Sequence, residues 1–250
     1  MSEVSIQHWT ASDGVDLAWR ELGEGTPVIL LHGLFSDGFV NWIKFGHAAK
    51  IAATGKRVII PDLRAHGLSG KPHDAAHYPP GILGRDLTEL VARLGPAEYD
   101  LGGFSLGART VVQGVGNGLR PARAILAGMG LEGLLQWEGR SRFFLDAIDL
   151  FDTAKRGDPH WLAIQFMKTM KVDPLAAVPL LNSFEAAPEG WAAAFIMPTL
   201  VVAGAADQDN GSATALAEAL PNASHAEVPG THMSSVTEAA LGDALAKFLE

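Results

Sequence analysis

The sequence predicts an α/β fold in which helices cover both faces of a mostly parallel central sheet. Residues 27–31 form a continuous apolar run, which is typical of a strand buried on both faces, and residues 57–60, with Val58, Ile59 and Ile60 after Arg57, are predicted to be another buried strand. Segments with helical periodicity lie between such runs; in residues 82–94, for example, the leucines and Val91 fall on one face. Strands that alternate with helices in this way favour a parallel sheet.

Composition and charge exclude several classes of protein. The chain has 250 residues, of which 48% are hydrophobic and 19% charged, so a disordered protein is excluded and one large core is expected. The net charge of −9 argues against nucleic-acid and anionic membrane partners. The absence of cysteine excludes disulfides and thiolate metal sites. We find no basic-then-apolar leader and no bilayer-length apolar run, and we therefore expect a cytoplasmic protein of undetermined oligomeric state.

The elements follow one another in a regular order. Two alternating runs, residues 4–9 and 15–22, flank an Asp13-Gly14 turn and predict an antiparallel hairpin. The remaining predicted strands are residues 27–31, 57–60, 99–104, 122–127, 199–204 and 223–228. The predicted helices of this part of the chain are residues 42–54, 82–94, 106–115, 212–220 and 239–249.

The alternation stops between residues 131 and 195. This segment has no β-type run, its aromatic and aliphatic residues recur at helical spacing, and prolines divide it. Its low charge and its place before the last two strands favour a helical cap over a functional site. The predicted organisation is therefore a core of residues 1–130 and 196–250 and a small helical cap of residues 131–195.

The segment Gly103-Phe104-Ser105-Leu106-Gly107 has the Gly-x-Ser-x-Gly pattern of a nucleophile elbow. A serine at a sharp turn from strand to helix has a strained backbone, and strain of this kind persists at functional sites. Its neighbours two residues away must be small because strand and helix almost touch. The predicted strand before Ser105 and the small, apolar helix after it provide that context.

Further motifs occur in a characteristic order along the chain. They are His32-Gly33-Leu34, the loop from Asp62 to Ser69, Gly204-Ala205-Ala206-Asp207 and Gly230-Thr231-His232. With the elbow, they make the chain resemble the α/β-hydrolase superfamily over nearly its whole length. The resemblance implies a catalytic triad of Ser105, Asp207 and His232. Ala108 stands where many relatives have a second glycine, which implies slightly looser packing of strand and helix.

The residue types agree with that chemistry. A serine hydroxyl needs a base to become a nucleophile, and His232 is suited to that work because an imidazole ring can accept a proton near neutral pH. Asp207 would hold the imidazole in the correct tautomer, while the backbone N–H groups of Leu34 and Leu106 would bind the oxyanion. The acid has two alternatives, because Asp209 lies nearby and Glu132 follows the preceding strand.

The predicted function is a serine esterase that forms an acyl-enzyme on esters with small to medium hydrophobic groups. The substrate would be an uncharged small molecule, because the cap has few charges. The candidate substrate-binding residues are His32, Phe35, Trp137, Phe144 and Met167. His66 is expected to shape the loop beneath the oxyanion hole. We expect no cofactor and no metal, since prolines flank His73 and His77 and no glutamate accompanies them.

Two other functions remain open. Arg109 lies four residues after Ser105, where the stretch resembles the menaquinone-pathway lyases of this fold, so a triad-dependent lyase or carbon–carbon hydrolase is one alternative. A simpler interpretation of Arg109 is a helix residue paired with a local carboxylate. The other alternative is a non-catalytic small-molecule receptor, and perhydrolysis would be a promiscuous reaction of the same site.

Overall fold

A computed structural model of the protein describes residues 4–250, and an eight-stranded sheet forms its centre. Residues 1–3 lie outside this range. They are the first residues of the predicted core, and the expectation about a leader segment also concerns them. The strands are β1 (Ser5–Thr10), β2 (Asp16–Leu22), β3 (Thr26–Leu31), β4 (Lys56–Pro61), β5 (Asp100–Phe104), β6 (Arg123–Ala127), β7 (Thr199–Gly204) and β8 (Ala223–Val228).

The strand order across the sheet is β1-β2-β4-β3-β5-β6-β7-β8. β1 and β2 pair as the predicted antiparallel hairpin, and β2 pairs antiparallel with β4. The other five pairings are parallel, from β4–β3 to β7–β8. The predicted fold class, a mostly parallel sheet with an antiparallel hairpin at its start, is confirmed.

Helices connect the strands. They are α1 (His47–Ala52), α2 (Ile82–Leu94), α3 (Leu106–Gly116), α4 (Leu131–Leu135), α5 (Glu138–Asp149), α6 (Trp161–Thr169), α7 (Pro174–Asn182), α8 (Ala213–Ala219), α9 (His232–Ser235) and α10 (Ala239–Leu249). α2 is the longest of them with 13 residues. Over residues 4–250, therefore, every helix falls short of the apolar length that would cross a bilayer.

One predicted helix is wrong in its extent. Instead of a continuous helix over residues 42–54, the chain forms a π-helical turn at Phe39–Ile43 and then α1. Gly46 separates the two with φ 83°, a left-handed conformation that ends a helix and that glycine adopts readily. Trp42 belongs to the π-helical turn and is fully buried in the core.

Each face of the sheet has its own apolar core. Val28 and Leu30 of β3 pack on the face covered by α1 and α10, while Ile29 and Leu31 pack on the face covered by α2, α3 and α8. This alternation follows from the two-residue period of a strand. Both faces of β3 are therefore buried, which explains its continuous apolar sequence.

The segment between β6 and β7 contains α4–α7 and a 3₁₀ turn at Trp191–Ala194. Part of this cap has a small apolar core of its own, which includes Trp137, Ile164, Met167 and Leu181. Phe35, from the loop after β3, packs into the same cluster. The cap is therefore joined to the sheet domain at the carboxyl ends of the strands, where the predicted site residues lie.

Candidate active site

The turn between β5 and α3 carries Ser105. Its backbone has φ 53° and ψ −110°, a conformation that non-glycine residues rarely adopt. A Cβ atom at Gly103 would lie 2.2 Å from the carbonyl carbon of Gly107, and one at Gly107 would lie 2.3 Å from the carbonyl oxygen of Leu31. A side chain at either glycine would force the strand and the helix apart. The two glycines thus allow the turn that presents Ser105.

Three side chains from separate loops meet at this turn. Oγ of Ser105 lies 3.1 Å from Nε2 of His232, and Nδ1 of His232 lies 2.8 Å from Oδ2 of Asp207. His232 is the first residue of α9, whose N-terminus is capped by Thr231. The ring of Phe104 packs beside the imidazole with the ring centres 5.0 Å apart. This hydrogen-bonded chain has the arrangement of a nucleophile, a base and an orienting acid.

The electrostatics of Asp207 suit an orienting acid. Its side chain is only 4% exposed, and this burial opposes ionisation. The hydrogen bond and charge interaction with His232 outweigh burial, so the pKa of Asp207 lies below its usual value. Asp207 is therefore ionised at neutral pH and accepts a hydrogen bond from Nδ1 of the imidazole, which leaves Nε2 facing Ser105.

The carboxylates of the two alternative acids interact with groups other than His232. The carboxylate of Asp209 is 52% exposed and lies 3.9 Å from a guanidinium nitrogen of Arg140. Glu132 accepts a hydrogen bond from the backbone N–H of Ser212 at 2.8 Å. Neither carboxylate is hydrogen bonded to His232 in the described part of the chain. The geometry therefore favours Asp207 as the acid.

A cap residue holds the loop that carries Asp207. Nη1 of Arg140, on α5, donates to the carbonyl oxygen of Asp209 and to Oδ1 of Asn210, each at 2.7 Å. Asn210 in turn donates from Nδ2 to the carbonyl oxygen of Gly128 at 2.7 Å. The backbone N–H of Asp209 donates to Oδ1 of Asp207 at 3.0 Å. Arg140 thus connects the cap to the loop of the candidate acid through two bonds.

The two candidate oxyanion donors are free to bind a ligand. On one side of Leu34, the N–H of Gly33 donates to Oδ1 of Asn41 at 3.0 Å, and on the other side the N–H of Phe35 is also hydrogen bonded. The N–H of Leu34 has no hydrogen-bond partner within residues 4–250. Leu106 opens α3, so its N–H has no acceptor inside the helix.

Two buried histidines support the oxyanion loop. Nε2 of His66 accepts a hydrogen bond from the N–H of Phe35 at 3.0 Å, and Nε2 of His32 accepts one from the N–H of Leu63 at 2.9 Å. Burial lowers the pKa of His66 to about 3 and also lowers the pKa of His32. Both rings are therefore neutral at physiological pH, which leaves Nε2 free to accept. His66 has the loop-shaping contact expected from its position.

A buried ion pair lies next to this loop. Nη1 of Arg20 lies 2.9 and 2.8 Å from the two carboxylate oxygens of Asp62. The same carboxylate accepts the backbone N–H groups of Gly38 at 2.8 Å and Leu68 at 2.7 Å. Burial raises the pKa of Asp62, but the interactions with His32 and Arg20 and the two N–H donors outweigh it and hold the pKa below its usual value. Asp62 thus anchors the loops on either side of it.

A cavity of about 440 Å³ opens beside Ser105 and His232, which is within the size range of small-molecule sites. Leu162 and Met233 line it and are 76% and 53% exposed, so they mark its mouth. Its wall is mostly apolar and includes Leu34, Phe35, Val40, Phe143, Phe144 and Phe166. Two charged side chains, those of Arg140 and Asp209, also line it.

The structure corrects part of the predicted substrate-binding set. Phe35 and Phe144 line the cavity, whereas His32, Trp137 and Met167 do not. His32 is fully buried beneath the oxyanion loop, and Met167 is fully buried inside the cap. Trp137 packs against Phe184, with the ring centres 4.8 Å apart. These three side chains are buried and are absent from the lining of the cavity.

Arg109 also lies away from the cavity. Its guanidinium donates to the carbonyl oxygen of Glu185 at 2.7 Å and to that of Gly133, and it lies 5.1 Å from the ring centre of Trp137. The interpretation of a pairing with a local carboxylate is therefore wrong, because the acceptors are backbone carbonyls. Burial lowers the pKa of Arg109 to about 10. Its observed contacts hold the cap against α3.

Some residues that support the site have no sequence motif. Asn41 is buried within the π-helical turn and holds Gly33, and Asn210 joins the acid loop to the end of β6. An asparagine three residues after a candidate acid is a common loop residue, and Asn41 lies just before the predicted helix of residues 42–54, outside any motif. The sequence therefore offers no signal that separates them from other polar residues.

Comparisons with known proteins agree with this architecture. Residues 26–117 match a family model described as the alpha/beta hydrolase fold. A non-heme haloperoxidase of Rhodococcus erythropolis is 35% identical over 127 residues, which cover 48% of this chain and 42% of that protein. The matched region thus spans less than half the length of this relative.

Solved structures match almost the whole chain. An esterase from Exiguobacterium antarcticum superposes with a TM-score of 0.79 and 18% identity, covering 97% of this chain and 98% of that one. An enol-lactonase from Burkholderia xenovorans superposes with a TM-score of 0.76 and 22% identity, covering 97% and 99%. At these identities the likeness establishes the fold, so the reaction must be argued from the site.

Proposed function

We propose that this chain, whose residues 26–117 match the family model of the alpha/beta hydrolase fold, is a serine hydrolase. Its substrates would be small-molecule carboxylic esters with small to medium hydrophobic groups, and no cofactor would take part. The observation that carries the proposal is the chain of hydrogen bonds from Ser105 through His232 to Asp207 at the edge of a largely apolar cavity.

The first half of the proposed reaction acylates the enzyme. His232 Nε2 takes the proton of Ser105 as Oγ attacks the ester carbonyl carbon, and Asp207 stabilises the imidazolium. The negative oxygen of the tetrahedral intermediate accepts hydrogen bonds from the N–H groups of Leu34 and Leu106. His232 then gives its proton to the leaving alcohol, and the acyl group remains on Ser105.

The second half uses the same groups with water. His232 removes a proton from a water molecule, and the resulting hydroxide attacks the acyl-enzyme carbonyl. The oxyanion again forms at Leu34 and Leu106, and its collapse breaks the bond to Ser105 Oγ. The proton returns to Ser105, and the carboxylic acid leaves as a carboxylate. Each oxyanion donor is worth about 3–4 kcal/mol of activation free energy in comparable sites.

The cavity supports uncharged substrates. Phenyl rings and aliphatic side chains form most of its wall, and its two charged members, Arg140 and Asp209, lie close to each other. The names of the structural relatives, an esterase and an enol-lactonase, are consistent with acyl transfer. The lyase alternative depended on Arg109, whose guanidinium is occupied by carbonyl groups outside the cavity.

The proposal is tested by hydrolysis of p-nitrophenyl esters from acetate to palmitate, with wild type beside Ser105→Ala. We expect turnover that peaks at short or medium acyl chains and is lost in the variant. A fluorophosphonate probe should label wild type rapidly at Ser105, since covalent labelling requires an activated serine. A folded wild type that neither hydrolyses the esters nor reacts with the probe would exclude the esterase and favour the receptor. Labelling without ester turnover would favour the lyase or carbon–carbon hydrolase.

A further inference from the structure

A second cavity adjoins the catalytic one. It is a cleft of about 310 Å³ between residues 65–71 of the core and residues 170–172 of the cap. Its character differs, because charged side chains contribute to its wall, three of them basic (Arg20, Lys71 and Lys171) and one acidic (Asp37). Phe35 and Ser36 line both this cleft and the catalytic cavity. The two spaces are therefore neighbours that share a wall.

Phe35 lines both spaces, and its ring packs against one aromatic ring from each. On one side it meets the ring of Phe144, which lines the catalytic cavity, edge to face with the centres 5.3 Å apart. On the other side it lies 6.2 Å from the ring of His66, which lines the cleft. Phe35 is only 3% exposed, so its ring is enclosed between these neighbours.

The backbone fixes this ring in place. Phe35 has φ 59°, a left-handed conformation that is unusual for an aromatic residue. Its N–H donates to the neutral Nε2 of His66, and it follows Leu34, the candidate oxyanion donor. Backbone conformations of this kind persist where the surrounding structure holds them and are concentrated at functional sites. The ring therefore stands at a defined place beside the reacting carbonyl group.

We propose that Phe35 is a specificity-determining residue whose ring ends the apolar cavity and limits the length of the hydrophobic group that the site accepts. The inference rests on the proposed function and adds a size limit to it. An apolar chain that grew past the ring would enter the charged cleft, where it would displace water from polar groups. With the ring in place, the cleft is closed to the substrate.

Binding measurements test whether Phe35 limits the length of the bound group, and they require no turnover. The probes are straight-chain 1-alkanols from propanol to decanol, titrated calorimetrically into Ser105→Ala and into Ser105→Ala/Phe35→Ala. Each methylene that enters an apolar site strengthens binding by about fourfold. We expect affinity to rise with chain length and then level off in the Ser105→Ala protein. In the double variant the rise should continue for about two further methylenes.

Matched variants distinguish an effect of the Phe35 ring from a general loosening of the structure around the cavity. Val172 lines the cleft and not the catalytic cavity, so Val172→Ala enlarges the cleft with the ring intact and should leave the limiting length unchanged. Phe35→Leu retains an apolar side chain and should extend the limit by about one methylene. Thermal melting verifies that each protein is folded, and the leucine variant serves if the alanine variant is not. An unchanged limit in the folded Phe35 variants, or an equal shift in Val172→Ala, would overturn the inference.

Turnover measurements distinguish the two proposals from each other. In the p-nitrophenyl ester series, Phe35→Ala should move the optimum of kcat/KM to longer acyl or alcohol groups. Hydrolysis by wild type with an unmoved optimum and an unmoved binding limit would refute the role of Phe35 alone. Absence of hydrolysis in wild type, with the expected shift in alkanol binding, would refute the esterase and leave Phe35 as the wall of a binding site.

Discussion

Replacement of Asp62 by asparagine should destabilise the fold strongly, although the two side chains have the same shape. The substitution removes the negative charge from a carboxylate that is buried against Arg20, whose own side chain is only 11% exposed. It also replaces one acceptor oxygen by an NH₂ group. That NH₂ group would face a backbone donor, either the N–H of Gly38 or that of Leu68.

The magnitude follows from these contacts. Loss of one partner of a buried ion pair typically costs about 3–5 kcal/mol, because the other charge stays buried without compensation. A domain is stable by only about 5–15 kcal/mol in total. Asp62→Asn is therefore expected to remove a large share of the free energy of unfolding. The exposed pair of His8 and Asp16 provides a contrast, since surface pairs contribute about 0–1 kcal/mol.

The assay is urea unfolding at pH 7, followed by circular dichroism, for wild type, Asp62→Asn and Asp16→Asn. The first variant should lose several kcal/mol and the second should remain close to wild type. A loss below about 1 kcal/mol in Asp62→Asn would refute the reasoning, because it would mean that the buried charge of Arg20 needs no partner.

The same pair has a pH dependence of known sign. The pKa of Asp62 is lower in the folded protein than in the unfolded chain, where it is about 3.9. Its contribution to stability is therefore fully present above that unfolded value, and it is lost as the pH falls through the folded pKa. Urea midpoints measured from pH 7 down to pH 3 should show the difference between wild type and Asp62→Asn become smaller below about pH 4.

Three further changes, the last of them with a matched control, give distinct outcomes. Asp207→Asn should lower kcat on p-nitrophenyl butyrate by about 10⁴-fold, with little change in KM, because the imidazole loses the partner that fixes its tautomer; a small loss would point to another acid. Arg140→Met should lower kcat by about tenfold, because the acid loop loses two hydrogen bonds, whereas retained activity would show that the loop holds itself. Gly107→Ala should fail to fold or lose more than about 3 kcal/mol in urea unfolding, since its Cβ would lie 2.3 Å from the Leu31 carbonyl oxygen. Gly116→Ala, in the same helix with open space around it, should be neutral or stabilising by about 1 kcal/mol.

Local sequence patterns were sufficient for most elements of the sheet domain. The apolar runs gave the buried strands within one or two residues, and the leucine periodicity gave α2 with its observed bounds. The order of the strands could not be obtained in this way, because β4 lies between β2 and β3 through pairings between distant segments. The break at Gly46 was also missed, since a glycine in a helical pattern marks an interruption only when its backbone conformation is known.

In the candidate site, too, local motifs predicted some residues, whereas contacts between distant segments could not be predicted. Motifs identified Ser105, Asp207 and His232, and the structure brings these three side chains into contact. The cap was less predictable, because helical spacing groups residues into faces without saying which face meets the site. On α6, Met167 points into the cap core, while Phe166, one residue earlier, lines the cavity. Apolar size alone therefore selected the wrong residue of this pair.

Residues with a strained backbone conformation are concentrated around the cavity beside Ser105 and the cleft next to it. The non-glycine residues with positive φ within residues 4–250 are Phe35, Ala65, Ser105 and Lys171, and each lines the cavity beside Ser105 or the adjoining cleft. Conformations of this kind carry about 1–3 kcal/mol each in comparable proteins. The sheet and its covering helices must therefore hold this region against relaxation. Directed evolution for thermal stability alone would be drawn to these four positions, and under the proposed function it would relax the candidate site at a cost in activity.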